Sequence, residues 1–534
     1  MTNPPTPSRL PAWLRPALAI TIIAASFLWV GHDHALAALW PAIVALTTVF
    51  LLRSVLAGLF LGAACGALLQ TQGRPVAAYV ALINDHMIPS LQSSWNVSVV
   101  IFTLLMGGFV ALIEAGGGLS GVLRTLTRHP KQARIRVEGA AFGLGLICFF
   151  DGLANSMLVG RVLRPLADRA HVSRAKLAYI VDSTSAPVAC VAFISTWIAY
   201  QLSMIREGLA QVGRDDNPYV LFLQSIPLNF YCWFTLLLVL LTVIRRIDIG
   251  PMKHFQQTQE AHTDAETTGP DAGVWRAAIP LLVLMGTLVS GLYLTGTDQP
   301  WPISRTGLAD AFGNAKTALV LVCSAGVGCL VAFVCAYRPG RGPALCRSFQ
   351  QGLTALFLPV LILVGAWTLS STLKELAAAE ALSALLSDTL PVKLLPMAVF
   401  LVGAGMSFVT GTSWGTMGIL MPLAVPSAIT LGAGLSATDA HGILLGVIAA
   451  VFSGAVFGDH CSPMSDTTIV SSVSCDLDPL DHVKTQLPYA LLAAVIAIAF
   501  GFIPSGLGLP APIALLLGAG ALVLITHAIR RKNA

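Results

Sequence analysis

Charge is scarce along this chain. Only 11% of its 534 residues are Asp, Glu, Lys or Arg, against a hydrophobic fraction of 55%. A soluble domain carries about 25% charged residues, so this composition excludes a soluble globular protein and requires a bilayer. Also missing is the apolar/polar alternation over strands of about ten residues that a membrane barrel needs. Cysteine pairs are absent too. The ten cysteines stand singly, Cys65, Cys148, Cys232 and Cys323 among them inside apolar runs, with no C-x-x-C pair. They read as small buried hydrophobes rather than a disulfide framework. No G-x-x-x-x-G-K-[ST] stretch argues for ATP-driven pumping. The net charge of +5 does not point to nucleic acid, because the basic residues fall between apolar segments, where positive-inside retention accounts for them.

What is present is a succession of apolar stretches from Ala17 to His527, each near the roughly 20 residues that cross hydrocarbon as a helix. They predict an all-α polytopic membrane protein of roughly 11–13 membrane segments, some of them broken. Basic clusters assign the cytoplasmic side: Arg124, Arg128, Lys131, Arg134 and Arg136; Arg245, Arg246 and Lys253; Arg338, Arg341 and Arg347; Arg530, Arg531 and Lys532. Both termini are then expected in the cytoplasm. The loop "REGLAQVGRDDNP", where Arg206 and Arg214 are balanced by Glu207, Asp215 and Asp216, is expected on the other face. Arg9 and Arg15 before an apolar run, with Ala35-Leu36-Ala37 after it, resemble a signal peptide; a further apolar segment follows at once, and the topology needs this first helix.

One segment resists simple alternation. Glu138 to Gly160 has basic flanks on both sides, the second containing Arg161, Arg164, Arg169, Arg174 and Lys176. Two such flanks predict a re-entrant hairpin, turning at Asp151-Gly152 with Asn155 and Ser156 one turn on. The alternative is a full span with a basic loop on the unexpected side. The polar stretch "QQTQEAHTDAETTGPDA", residues 256–272, divides the chain near its middle. The expected halves are residues 1–255 and 274–534, joined by a cytoplasmic linker at 256–273. They echo each other. Setting Phe149 against Phe408 aligns Gly152 with Gly411, and, with small gaps, Gly160 with Gly418 and Pro165-Leu166-Ala167 with Pro422-Leu423-Ala424. Asp182 with Ser185 and Pro187 likewise parallels Asp459 with Ser462 and Pro463. Broken segments are expected at about 138–160, 400–425 and 450–472. Such segments in corresponding positions point to a secondary transporter built from two inverted repeats, with its site at their interface.

Ionisable groups in an apolar context are functional candidates. Four carboxylates qualify: Asp151, Asp182, Asp459 and Asp466. Around them lie Asn155, Thr184, Thr412, Ser413, Ser462, Thr467 and other small hydroxyl residues. Carboxylates, hydroxyls and the freed carbonyls of an unwound helix are hard oxygen ligands that suit sodium. One buried carboxylate can hold either a proton or a cation, which with alternating access suffices for antiport. Helix capping is the plain alternative for Asp182 and Asp459, since each precedes Ser or Thr residues. "GTSWG", Gly411 to Gly415, matches the G-x-S-x-G nucleophile elbow but sits in an apolar helical context, where packing is the expected role and no enzyme is implied. Asp459, His460 and Cys461 could in principle ligate a transition metal, but three consecutive residues rarely converge on one ion. Trp367 and Trp414 are expected to pack rather than gate.

Four stretches, "FVTGTSWGTMGILMPLAVPSA", "FGDHCSPMSDTTIVSS", "KLAYIVDSTSAPVACVAFISTWIAY" and "ILVGAWTLSSTLKEL", with "LFLGAACGALL" near the start, closely resemble the NhaC-type sodium/proton antiporter family. The resemblance implies cation:proton exchange across the cytoplasmic membrane of a prokaryote; the expected exchange carboxylates, and the expected sodium ligands, are Asp459 and Asp151. It carries the polar centre onto Asp151, Asn155, Asp182, Thr412, Ser413, Asp459, Ser462, Asp466 and Thr467. The family also contains exchangers of malate and lactate and sodium-coupled amino-acid carriers, so the rival expectation is a coupled carrier of a small organic solute. The scarcity of arginine within the membrane argues against a dianionic cargo. Sodium, protons and the lipid bilayer are the expected partners, with a homodimer as the expected assembly and no resident cofactor. One departure stands out: the related pattern often has two adjacent acids after the paired aromatics, whereas here Asp151 is followed by Gly152. That bears on ion stoichiometry.

Overall fold

The computed structural model describes residues 21–31, 35–52, 54–117, 133–149, 152–257, 273–297, 311, 315–378, 381, 390–463 and 465–533. No β-strand occurs among the described residues. In lipid each backbone N–H and C=O must find its partner inside its own segment, which makes the helix the only solution short of a closed barrel. Eight helices among the described residues are long and apolar enough to cross a membrane. Counting two bent pairs, Val55–Gln70 with Pro75–Gln92 and Pro218–Leu228 with Phe230–Arg245, raises this to ten. The chain is the all-helical polytopic protein that its composition predicts.

Burial separates inner helices from outer ones. Trp275–Gly296 and Ala511–Arg531 bury only 33% and 22% of their apolar windows, so most of their surface is left for lipid, while Ser413–Gly432 and Ala437–Cys461 bury 83% and 78% and form the centre. The central elements are α1 (Ala133–Ile147), α2 (Gly152–Arg169), α3 (Arg174–Ser183), α4 (Ala186–Val191), α5 (Ile198–Gln211), α6 (Phe230–Arg245), α7 (Phe357–Glu375), α8 (Leu395–Thr410), α9 (Ser413–Gly432), α10 (Ala437–Cys461), α11 (Asp466–Ser474) and α12 (Pro479–Ile496).

α1 and α2 pack on each other. Arg134 in the first turn of α1 donates to Asp248 at 2.9 Å, and Asp248 lies 3.3 Å from Lys176 in the first turn of α3. Since α3 follows directly on α2, the start of α1 and the end of α2 emerge at one end of the molecule, the geometry of a helical hairpin. The second flank differs from expectation. Arg161, Arg164 and Arg169 are not in a loop: α2 continues through all three. Lys176 is wholly buried, with its ammonium donating to the Ile247 carbonyl at 3.2 Å and lying 5.4 and 5.5 Å from the Tyr179 and Tyr489 rings. Acidic partners explain why: Asp476 pairs with Arg164 and Arg174, Asp168 with Arg174, and Asp248 with Lys176. Arg206 and Glu207 likewise belong to α5 rather than to a loop, leaving a short turn in which Asp216 forks onto Arg214 with two 2.7 Å bonds.

In the second half, α8 ends on Gly411, whose φ of +68° a β-carbon would disfavour. Thr412 is extended and caps α9 by accepting from the Gly415 N–H at 3.4 Å. This helix–break–helix has no strand, so the G-x-S-x-G match is not a nucleophile elbow. α10 ends at Cys461, and α11 restarts at Asp466. α8 and α10 lie very close, because Gly454 and Gly458 face backbone atoms of Phe400, Ala404 and Phe408 where any β-carbon would collide. Asp151, the residues up to 20, and most of the expected linker (258–272) lie outside the described residues.

Candidate functional site

The breaks in α8–α9 and α10–α11 meet. Ser407 and Ser413, from either side of the first break, both donate to the Ala455 carbonyl of α10, at 2.6 and 3.2 Å. Beside them opens a cavity of about 120 Å³. Gly411, Thr412, Ser413 and Trp414 line it from the first break, Asp459, Asp466 and Thr467 from the second, and Thr196, Trp197 and the first half of α7 from the opposite wall. Among the described lining residues two are carboxylates and none is Lys, Arg or His. Trp414 meets Trp197 edge-on and Tyr200 at a tilt, and the Tyr200 hydroxyl donates to the Trp414 carbonyl. Trp367 packs away from the cavity, its indole N–H donating to Ser203 at 2.7 Å.

Asp459 and Asp182 occupy contrasting environments. Both are buried, 4% and 0% exposed, and an aspartate at the centre of a membrane helix costs about 2.5–3.5 kcal/mol. Asp182 is fully served. Oδ2 accepts from Gln486 at 2.6 Å, from His482 at 3.2 Å and from Thr468 at 3.2 Å, while Oδ1 accepts from Ser471 at 3.3 Å. Hydrogen bonds to a charged group contribute about 1.5–3 kcal/mol each, so those from Gln486 and His482 alone offset the burial without any ion, and Thr468 and Ser471, whose single hydrogens also reach the Asp459 carbonyl and Ser156, add to them. Asp459 is served by hydroxyls alone: Ser465 on Oδ1, Thr467 on Oδ2 at 3.3 Å, with Ser413 alongside. A carboxylate offers about four acceptor sites, so Asp459 keeps unused coordination capacity on the cavity side. Both aspartates lie near helix C-termini, and the helices that follow them, α4 and α11, have Ser185 and Ser465 as N-caps, so the capping alternative fails for each.

The residues singled out in the sequence therefore fall into two clusters. Asp459, Thr412, Ser413, Asp466 and Thr467 line the cavity, and Ser462 is buried in the break beside them. Asp182, Asn155 and Thr184 form a second cluster away from it. Asn155 stitches the hairpin, its amide donating to the Gly145 and Thr184 carbonyls at 2.9 and 2.7 Å, and the Thr184 hydroxyl returns to its own helix at Ile180. His460 does not join Asp459 on a metal: its ring nitrogens lie 2.9 Å from the Ser183 hydroxyl and 2.7 Å from that of Tyr231. His482, Gln486, Ser471 and Tyr231 escaped the sequence reading. A histidine and a glutamine one turn apart at the mouth of a long apolar run were the available signal for the first two. Ser471 and Tyr231 offered none, because their partners come from distant segments.

Residues 188–506 match the Na+/H+ antiporter family. Over its length the chain is 32% identical to an uncharacterized protein of Haemophilus influenzae, covering 92% of this chain and 95% of that one. It is 37% identical to the malate-2H(+)/Na(+)-lactate antiporter of Bacillus subtilis across 21% of this chain and 22% of that one. A Na(+)/H(+) antiporter of H. influenzae is 33% identical across 30% of this chain and 32% of that one. Two solved transporters share the fold at low identity. The Alcanivorax borkumensis YdaH transporter, of unusual topology, has a TM-score of 0.56 at 16% identity, covering 90% of this chain and 99% of that one. MtrF of Neisseria gonorrhoeae, from a class of antimetabolite efflux pumps, has 0.58 at 15%, covering 93% and 99%. With its broken helices converging on a buried carboxylate cavity, the chain belongs to the Na+/H+ antiporter family, a family of multi-pass membrane transporters and not of enzymes.

Proposed function

We propose that this protein exchanges sodium for protons across the cytoplasmic membrane of a prokaryote by alternating access, with both termini in the cytoplasm. One observation carries the reading: the cavity between the two breaks is lined by Asp459, Asp466, Thr412, Ser413 and Thr467, an oxygen-only set with no cationic side chain among the described residues. Such a set suits a hard monovalent cation. Asp459 is the binding carboxylate, with Ser465 and Thr467 orienting its two oxygens. Carbonyls freed where α8 and α10 end complete the coordination. A proton and a sodium ion compete for the same carboxylate, so each cycle carries one or the other. Asp151 is assigned to the opposing repeat, and the halves on either side of 256–273 are taken as inverted repeats. Helix ends at Ile147 and Thr410, close to the aligned Phe149 and Phe408, support that arrangement.

A second reading, sodium- or proton-coupled movement of an organic acid or amino acid, draws on the likeness to the malate/lactate exchanger and on a 28% identity to an arginine/ornithine antiporter of Halobacterium salinarum. The N-termini of α9 and α11, which open on the cavity, would hold a carboxylate there. The two readings separate in proteoliposomes carrying a trapped pH dye. Proton movement on adding sodium alone supports antiport. Silence until an organic solute is supplied replaces it with the coupled carrier.

A further inference from the structure

The Asp182 cluster holds chemistry that the cation cavity leaves unused. His482 Nε2 lies 3.2 Å from Asp182 Oδ2, and both side chains are wholly buried. Gln486, one turn along α12, donates to the same oxygen and also to the His460 carbonyl. Yet His482 Nδ1 and Gln486 Oε1, both buried, have no hydrogen-bond partner. With Nε2–H facing Asp182, a neutral His482 presents a bare acceptor at Nδ1, so two unsatisfied acceptors sit on one helical turn. A proton on Nδ1 turns one of them into a donor, one turn from the other. It also brings the buried pair to zero net charge. The balance is simple: the pair gains one proton, no bond breaks, and its net charge goes from −1 to zero.

A single hydroxyl joins this pair to the cavity. Thr468 Oγ lies 3.2 Å from Asp182 Oδ2 and 3.1 Å from the carbonyl of Asp459 itself. It has one hydrogen and therefore serves one acceptor at a time. An anionic pair draws that hydrogen to Asp182; a protonated pair releases it to the Asp459 carbonyl, at the helix end carrying the cavity carboxylate. Among the described residues, the ionisable groups that share this neighbourhood include Asp459, His460 and Cys461 of α10, Cys475 after α11, and Arg164 of α2 and Arg174 of α3 on the far side of Cys475, with Tyr231 of α6 reaching it through His460.

We propose that the exchanged proton has a seat of its own, the Asp182–His482 pair, separate from the cation seat at Asp459, and that the Thr468 hydroxyl couples the two. The proposal rests on the reading of Asp459 as the cation seat and revises the simple competition at one carboxylate. The test uses the full chain in sealed proteoliposomes and compares uptake of radioactive sodium driven by an acid interior with sodium self-exchange at equal pH. H482Q keeps a donor toward Asp182 but cannot take up the proton. The ratio of proton-driven uptake to self-exchange is expected to fall about tenfold, an ordinary size for coupling between two sites, and its pH dependence to flatten. T468V, nearly isosteric, is expected to lower the same ratio, and it decides the matter if H482Q fails to fold. A wild-type ratio and pH profile in either folded variant overturns the proposal. So does a folded H482Q that loses heat protection by sodium, since His482 would then belong to the cation seat. A wild type that moves no sodium in either assay removes the cation reading itself, and this division of seats with it.

Discussion

Asp459 is distinguished from Asp182 by how few donors its carboxylate has. Ser465 and Thr467 orient it without neutralising it, so charge compensation has to come from the cavity. Asp459→Asn keeps the shape and removes the charge, and proton-driven sodium uptake is expected to fall at least about tenfold, a loss of about 1.4 kcal/mol or more. Retained full exchange would refute the assignment. The pH dependence follows from the mutual exclusion of proton and sodium, whether at one carboxylate or through Thr468 between two seats. Proton occupancy rises as pH falls, so half-saturation by sodium should move to higher concentration, by up to about tenfold per unit once the protonated form dominates. Sodium titrations of dye-loaded vesicles across pH 6 to 9 would measure this, and a flat profile would refute competition. Asp459 was legible in the sequence because charge is rare in an apolar chain. That Asp182 and Asp459 differ in kind was not legible, since the donors to Asp182 come from α11 and α12, hundreds of residues along the chain.

Between elements, two devices hold the breaks in register. Lys176, Asp248, Arg134 and Glu138 form a charged tetrad, Lys176 and Glu138 buried and Arg134 and Asp248 partly exposed, that ties α1 and α3 to the turn after α6. Removing Lys176 leaves two carboxylates on the single guanidinium of Arg134, so Lys176→Met is expected to destabilise the protein by about 1–3 kcal/mol, less than a fully buried pair would cost because Arg134 and Asp248 are partly exposed, read as lost heat resistance in detergent. Unchanged resistance would mean that the tetrad contributes nothing net. Between α8 and α10 the device is steric. A methyl at Gly458 meets the Phe408 N–H and the Ala404 carbonyl, which are backbone and cannot rotate away. Gly458→Ala should therefore cost about 1–3 kcal/mol in the same assay and slow transport, because it pushes apart the two helices that end at the cavity. The existence of the broken elements could be read from Gly411-Thr412 and from Ser462-Pro463, where polar and helix-breaking residues interrupt apolar runs. The flank at Arg161–Lys176 could not, because positive charge reads as loop only until Asp168, Asp248 and Asp476 are seen beside it.

For the molecule as a whole, the α1–α2 hairpin has a topological consequence. Arg169 ends α2 at the same end of the molecule as the start of α1, the side that basic residues assign to the cytoplasm. A cysteine at Arg169 in an otherwise cysteine-free chain is expected to react with impermeant reagent only from the cytoplasmic side; labelling from outside would make α1–α2 a full crossing. The sequence by itself determined the class of solution: so little charge and so many apolar runs leave only a helical bundle in lipid, and hydrophobicity is a local property that any stretch of chain declares. It also named the carboxylates, because a charge in hydrocarbon needs a reason wherever it stands. Only the tertiary structure decided which carboxylate faces open space and which is sealed by its neighbours. That distinction depends on donors brought together from distant segments, and no spacing along the chain encodes it.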